Sequence, residues 1–139
     1  MADLKLELVL VPVSDVDRAK AFYEEKLGFH LDVDHAPNDD FRVVQLTPPG
    51  SPCSITLGKG ITSAEPGSYR GTHLVVDDIE AVRDELVGRG ADIGAIRHMT
   101  PQGWSDGPDP EHADYNSFAD FADPDGNTWV LQEVRRGSA

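Results

Sequence analysis

The feature that most restricts what this chain can become is an internal repeat. Residues 8–27 read LVLVPVSDVDRAKAFYEEKL and residues 71–88 read GTHLVVDDIEAVRDELVG. Each is a short run rich in Val or Leu, then an Asp, then apolar residues at helical spacing. Aligning the helix starts puts Val13–Asp17 over Val76–Glu80, an offset of 78 − 15 = 63 in a chain of 139 residues. A repeat of about half a chain sets the architecture before any single residue does. The downstream parts agree: Pro48-Pro49-Gly50 leads into Ser54–Leu57, and Pro124-Asp125-Gly126 leads into Trp129–Gln132, both turns feeding β-rich runs. The reading is α+β, with two βαβββ modules in tandem over residues 1–66 and 67–139 within one compact domain. A half-sheet of about four strands has an open edge and an uncovered face, so two halves are expected to form one cupped mixed sheet.

In chain order, residues 4–13 read as a strand, and Ser14 or Asp15 caps a helix that buries Ala19, Phe22, Tyr23 and Leu27. Gly28 ends that helix in the left-handed conformation. Strands follow over 29–33, 41–46 and 53–57, and residues 58–70 link the copies. In the second copy, residues 72–76 form a strand, and Asp77 or Asp78 caps a helix stopped by Gly88 and Gly90. Ala91–Ile96 reads as a strand, and His98–Asn116, with its prolines and glycines, as a long irregular segment carrying Trp104. Strands over 117–122 and 127–134 flank the Asp123–Gly126 turn.

Charge narrows the function. Twelve Lys and Arg stand against 25 Asp and Glu, a formal charge of −13, which disfavours nucleic acid and anionic membranes as partners. No run approaches the ~18 apolar residues of a membrane helix. The N-terminal stretch has no signal-peptide pattern, and Cys53 is the only cysteine, so a cytoplasmic, reducing location is expected. Cys53 itself reads as a small buried apolar residue.

VPVSDVDRAKAFYEEKLGF in the first copy and FADPDGNTWVLQEV in the second resemble the vicinal oxygen chelate superfamily, the glyoxalase I, bleomycin-resistance and extradiol-dioxygenase group. The resemblance implies paired modules around a small-molecule cavity, and a homodimer. It also implies, for metal-dependent members, four His, Glu or Gln ligands at equivalent positions on the first and last strands of each module. Carried over here, those positions fall on Leu8, Gly71, Val130 and a residue near Ser54. Three offer no donor and the fourth is a poor one, whereas divalent ions need imidazole or carboxylate ligands. No metal ligand is assigned and no cofactor is expected. A displaced divalent site near His73 or Glu7 is the alternative.

Strand alternation turns Leu8, Leu10, Ser54, Thr56, Gly71, His73, Val130 and Gln132 toward the cavity, a mainly apolar wall with a few polar groups. The residues singled out for a small organic ligand are Phe41, Arg42, Thr56, His73, Trp104, Tyr115 and Gln132. Phe41, Trp104 and Tyr115 would stack on a flat molecule, His73 and Gln132 would orient it, and Arg42 would hold an anionic group. His73 is also the candidate general base, with Asp120 placed to orient a histidine. Three functions remain open on these residues: a metal-free binding protein, a lyase, isomerase or dioxygenase using His73 or a displaced metal, and a regulatory module whose cavity is filled by its own side chains.

Overall fold

The computed structural model describes residues 2–135. The chain divides into two compact units, Met1–Tyr69 with Asp123–Asn127, and Arg70–Ala122 with Thr128–Ala139. The turn that closes the second copy in sequence therefore belongs to the first unit. No helix among the described residues is long and apolar enough to cross a membrane.

The first unit runs β1 (Leu8–Leu10), α1 (Val16–Ala21), a π-helical turn over Phe22–Lys26, β2 (His30–Asn38), β3 (Phe41–Thr47) and β4 (Ser54–Lys59). Its sheet has the order β1-β4-β3-β2, with β1 parallel to β4 and the other pairs antiparallel. The second unit runs β5 (Thr72–Val76), α2 (Ile79–Gly88), β6 (Arg97–Thr100), β7 (Gly103–Asp106), β8 (Ser117–Ala122) and β9 (Thr128–Glu133), in the order β5-β9-β8-β6-β7. Again the first strand lies parallel to the last. The α+β class and the duplication hold, now as two mixed sheets of four and five strands.

The repeat is visible at the level of single hydrogen bonds. Asp15 accepts from the Arg18 N–H (3.0 Å) and Asp78 from the Ala81 N–H (3.1 Å), so each helix starts with an aspartate N-cap three residues before the bonded amide. Ser14 is not the cap; its hydroxyl donates to Asp125. Gly28 takes φ 73°, the left-handed conformation expected of it. α1 packs on β4, and α2 on β8 and β9. Beneath them lie Tyr23, Val44, Leu46 and Leu57 in the first unit, and Ile79, Phe121, Trp129 and Leu131 in the second. Each such burial contributes about 1.5–3 kcal/mol.

Two local expectations fail. Ala91–Ile96 is not a strand: only Ile93 forms a bridge, to Phe121. The Arg83 side chain takes the carbonyls of Ile93 (2.9 Å) and Gly94 (2.8 Å) that a ladder partner would have used. His98–Asn116 is not irregular throughout, since β6 and β7 form a hairpin within it. Thr100 closes the turn by accepting from the Gln102 N–H and donating to the Gly103 carbonyl, with Gly103 at φ 109°. Pro101 and Gly103 are thus turn residues, and Trp104 sits on a strand.

Candidate functional site

In the second unit, the helix covers one face of the sheet and leaves the other open. Along β9, Trp129, Leu131 and Glu133 are buried, whereas Thr128, Val130 and Gln132 are partly exposed. The registers His73↔Val130, Val75↔Gln132, Asp120↔Val130, Phe118↔Gln132, Arg97↔Phe118 and Met99↔Trp104 carry this open face across the whole sheet. It is strongly apolar for an exposed surface: Val75 is 48%, Met99 44% and Trp104 53% exposed.

A row of rings runs across this face. The His73 and Phe118 rings meet edge to face at 6.5 Å, and Phe118 and Trp104 do so at 5.5 Å. The Arg97 guanidinium lies 4.5 Å from the centroid of Trp104 and 5.8 Å from that of Phe118. It is steadied by a 3.0 Å ion pair with Asp120. Arg97, Asp120 and Val130 also line a cleft of about 630 Å³ reaching Asp92 and Thr128. His73 Nδ1 donates to the Gly71 carbonyl (2.8 Å), because a carbonyl can only accept. In the neutral ring this leaves Nε2 as an acceptor. Gln132 Nε2 donates to the Tyr115 carbonyl (3.2 Å), so its amide oxygen is the end left to offer a ligand. Tyr115, 51% exposed at φ 68°, is held beside Gln132 by its own N–H bonding the Glu133 carbonyl (2.9 Å).

The structure therefore groups four of the sequence candidates, His73, Trp104, Tyr115 and Gln132, in the second unit, and adds Phe118 and Arg97, which sequence reasoning missed. The signal for Phe118 was its position two residues before Asp120, on the same strand face.

The other three candidates lie in the first unit, where they do not share one face. Phe41 and Thr56 are on the side away from the helix. Thr56 Oγ1 is buried without a hydrogen-bond partner among the described residues, a condition that costs about 1–3 kcal/mol. Arg42 alternates to the helix side, where Nη1 meets Asp17 at 2.7 Å, and Nε and Nη2 grip Asp34 at 3.0 and 2.9 Å. Lys20 adds a third contact to Asp34 at 2.9 Å. A cleft of about 720 Å³ adjoins this network. It is larger than the one in the second unit, but its walls carry no aromatic ring. Its cations are engaged already, Arg42 by aspartates and Lys59 by the Asp39 carbonyl.

Arg42 and Lys20 hold the Asp34 carboxyl well below the usual carboxylate range. A depressed folded-state pKa gives stability that is present above the unfolded value and lost as pH falls toward the folded one. An Asp34→Asn chain should therefore be less stable than the parent at neutral pH, and the gap should narrow below about pH 4. Urea midpoints measured across that range check this.

At the four positions where the resemblance implies metal ligands, the donor chemistry does not fit a divalent ion. In the first unit Leu8 lies opposite Ser54 in the ladder, and in the second Gly71 precedes β5 and Val130 lies opposite His73. Among the described residues, no three His, Cys, Asp or Glu side chains are placed to share a metal ion.

Comparison with known proteins agrees with this architecture. TnmS3, an antibiotic binding protein from Streptomyces sp. CB03234, is 34% identical and superposes with a TM-score of 0.73 over 96% of this chain and 98% of its own. A glyoxalase/bleomycin resistance protein from the same organism is also 34% identical, with a TM-score of 0.69 over 92% and 99% of the two chains. YetH of Bacillus subtilis (strain 168), an uncharacterized protein, is 25% identical over 125 residues, 90% of this chain and 94% of that one. The family model for the Glyoxalase/Bleomycin resistance protein/Dioxygenase superfamily matches residues 5–131, and the chain belongs to that superfamily.

Proposed function

We propose that this protein is a cytoplasmic binder of a flat aromatic small molecule, held by stacking and hydrogen bonds without a protein-bound divalent cation. The observation that carries the reading is the exposed row His73–Phe118–Trp104 with Arg97 over its far end. An exposed apolar and aromatic patch marks an interaction surface or a ligand-binding groove, and apolar walls with a few placed polar groups are the usual make-up of a small-ligand site. The 34% identity to an antibiotic binding protein supports a small organic molecule as the ligand. Trp104 and Phe118 provide the stacking surface, while His73 Nε2 and the Gln132 amide oxygen fix orientation.

The test is thermal unfolding with a panel of planar aromatic compounds in the presence of a chelator. A ligand at a hundred times its Kd stabilises the fold by about 2.7 kcal/mol. Trp104→Ala should weaken binding roughly ten- to hundred-fold, because a ring stacked on an aromatic side chain contributes about 1–3 kcal/mol. Absence of stabilisation by every compound, or unchanged affinity in Trp104→Ala, would refute the reading.

A second reading, an isomerase or lyase with His73 Nε2 as general base, draws on the tautomer fixed by the Gly71 carbonyl. It requires the bound compound to be consumed, and that consumption to vanish in His73→Ala while binding persists.

A further inference from the structure

Two backbone carbonyls decide which hydrogen bonds the aromatic face can still make. The Gly71 carbonyl takes the Nδ1 hydrogen of His73 (2.8 Å), and the Tyr115 carbonyl takes an Nε2 hydrogen of Gln132 (3.2 Å). A carbonyl can only accept, so each contact fixes the sense of its partner: the tautomer of the imidazole, and which end of the amide faces outward. What is left over is alike at both residues. With the ring neutral, His73 Nε2 offers a lone pair, and the Gln132 amide oxygen offers two. Neither atom has a hydrogen-bond partner among the described residues.

A third acceptor stands nearby. Val130 lies opposite His73 on one side and Asp120 on the other. One Asp120 oxygen pairs with Arg97 (3.0 Å), and the carboxylate is 54% exposed. The strongest donor of the face, the Arg97 guanidinium, sits over Trp104, on the two strands farthest from His73. The sheet therefore presents acceptors toward β5 and β9, and a cation toward β6 and β7.

Given that the open face of the second unit holds the ligand, as proposed above, we infer that this ligand carries a neutral hydroxyl or amino hydrogen on its ring system, seated at the His73 and Gln132 end. Phe118 brings the two acceptors to one compound: it pairs with Gln132 in the β8–β9 ladder, and its ring lies 6.5 Å from that of His73. A compound stacked on Phe118 thus has both acceptors at its margin. An ether or ketone oxygen at that margin sets acceptor against acceptor, and strips water from Nε2 and the amide oxygen without replacing its hydrogen bonds. A carboxylate or phenolate there meets the Asp120 charge as well, on a chain of formal charge −13. A site of this kind discriminates by a single hydrogen.

The compounds 6-hydroxyquinoline and 6-methoxyquinoline share one two-ring system and differ in that hydrogen. Each is titrated into the full-length chain at about pH 8, above the usual range for imidazole protonation, and followed by the Trp104 indole resonance. The hydroxy compound should bind roughly ten-fold or more tightly than the methoxy compound. His73→Phe keeps a ring in the row but removes the acceptor, and should shrink that ratio by roughly three-fold or more. Trp104→Ala, followed by the Gln132 side-chain amide, should weaken both compounds and leave their ratio as in the parent, because stacking does not tell them apart. Equal affinities in the parent, or a ratio unchanged in His73→Phe, would overturn the donor requirement while leaving the stacking site standing. If neither compound moves the Trp104 resonance, the donor requirement and the stacking site both fall.

Discussion

Asp123→Ala is expected to destabilise the protein by about 3–5 kcal/mol, a third or more of the stability of a typical domain. Asp123 is 5% exposed and accepts four hydrogen bonds. Oδ2 takes the Tyr23 hydroxyl (2.7 Å) and Asn127 Nδ2 (2.8 Å), and Oδ1 takes the backbone N–H groups of Asn127 (2.9 Å) and Asp125 (3.0 Å). Removing the carboxylate strands donors on Tyr23 and Asn127, both fully buried residues. Asn127 loses its anchor at the point where it also donates to the Pro12 carbonyl (2.8 Å) and accepts from the Tyr69 N–H (3.0 Å). The turn therefore pins three distant stretches of the first unit. Gly67 completes it, since a Cβ there would lie 2.3 Å from the Asp125 carbonyl oxygen. Urea denaturation measures the loss. Asp123→Asn, which keeps one acceptor oxygen, should lose less. A loss under about 1 kcal/mol for the alanine variant would contradict this role.

Glu133→Ala should destabilise the second unit by about 1–3 kcal/mol, the cost of leaving a buried hydrogen-bonding group without its partner. Glu133 is fully buried at the end of β9. Oε2 accepts from the Ile79 N–H at the start of α2 (3.0 Å), and Oε1 meets His112 Nδ1 at 2.9 Å and Arg135 Nε at 3.6 Å. One carboxylate thus ties a helix start to the loop that carries Tyr115, and holds His112 at φ 50°, a conformation disfavoured for a non-glycine residue. Hydrogen exchange distinguishes this role from simple loss of packing. The Ile79 amide should lose protection in the alanine variant, and retain more of it in Glu133→Gln, which preserves an acceptor oxygen.

These two carboxylates show what the sequence revealed and what it hid. Asp123 belongs to the D-P-D-G-N motif, so its turn was legible as a motif, although its bond to Tyr23, 100 positions away, was not. The two helix starts and Gly28 were legible because helix caps are local chemistry, although the choice of Asp15 over Ser14 and of Asp78 over Asp77 was not. That His73, Val130 and Gln132 share one sheet face was legible because alternation along a strand survives any arrangement of neighbours. Arg83 lies on a helix and acts on the backbone of residues 93–94, which periodicity cannot foresee, so the segment 91–96 was misread as a strand. The β6–β7 hairpin was hidden for another reason: Pro101 and Gly103 signal a tight turn and an irregular loop equally well. The aromatic row depends on the register of β6, β7 and β8, and register between strands distant in sequence has no local signature. Arg97 and Phe118 were lost with it.

The central claim, that recognition rests on the open aromatic face of the second unit and needs no protein-held metal, is tested most directly by amide and indole chemical-shift mapping. The panel compound that stabilises the protein most is titrated in the presence of a chelator. The account predicts shifts centred on the Trp104 indole, His73, Phe118, Arg97 and Gln132, saturating with the affinity seen in thermal unfolding. Shifts clustered instead around Arg42 and Lys59, or binding that appears only when a divalent ion replaces the chelator, would contradict it.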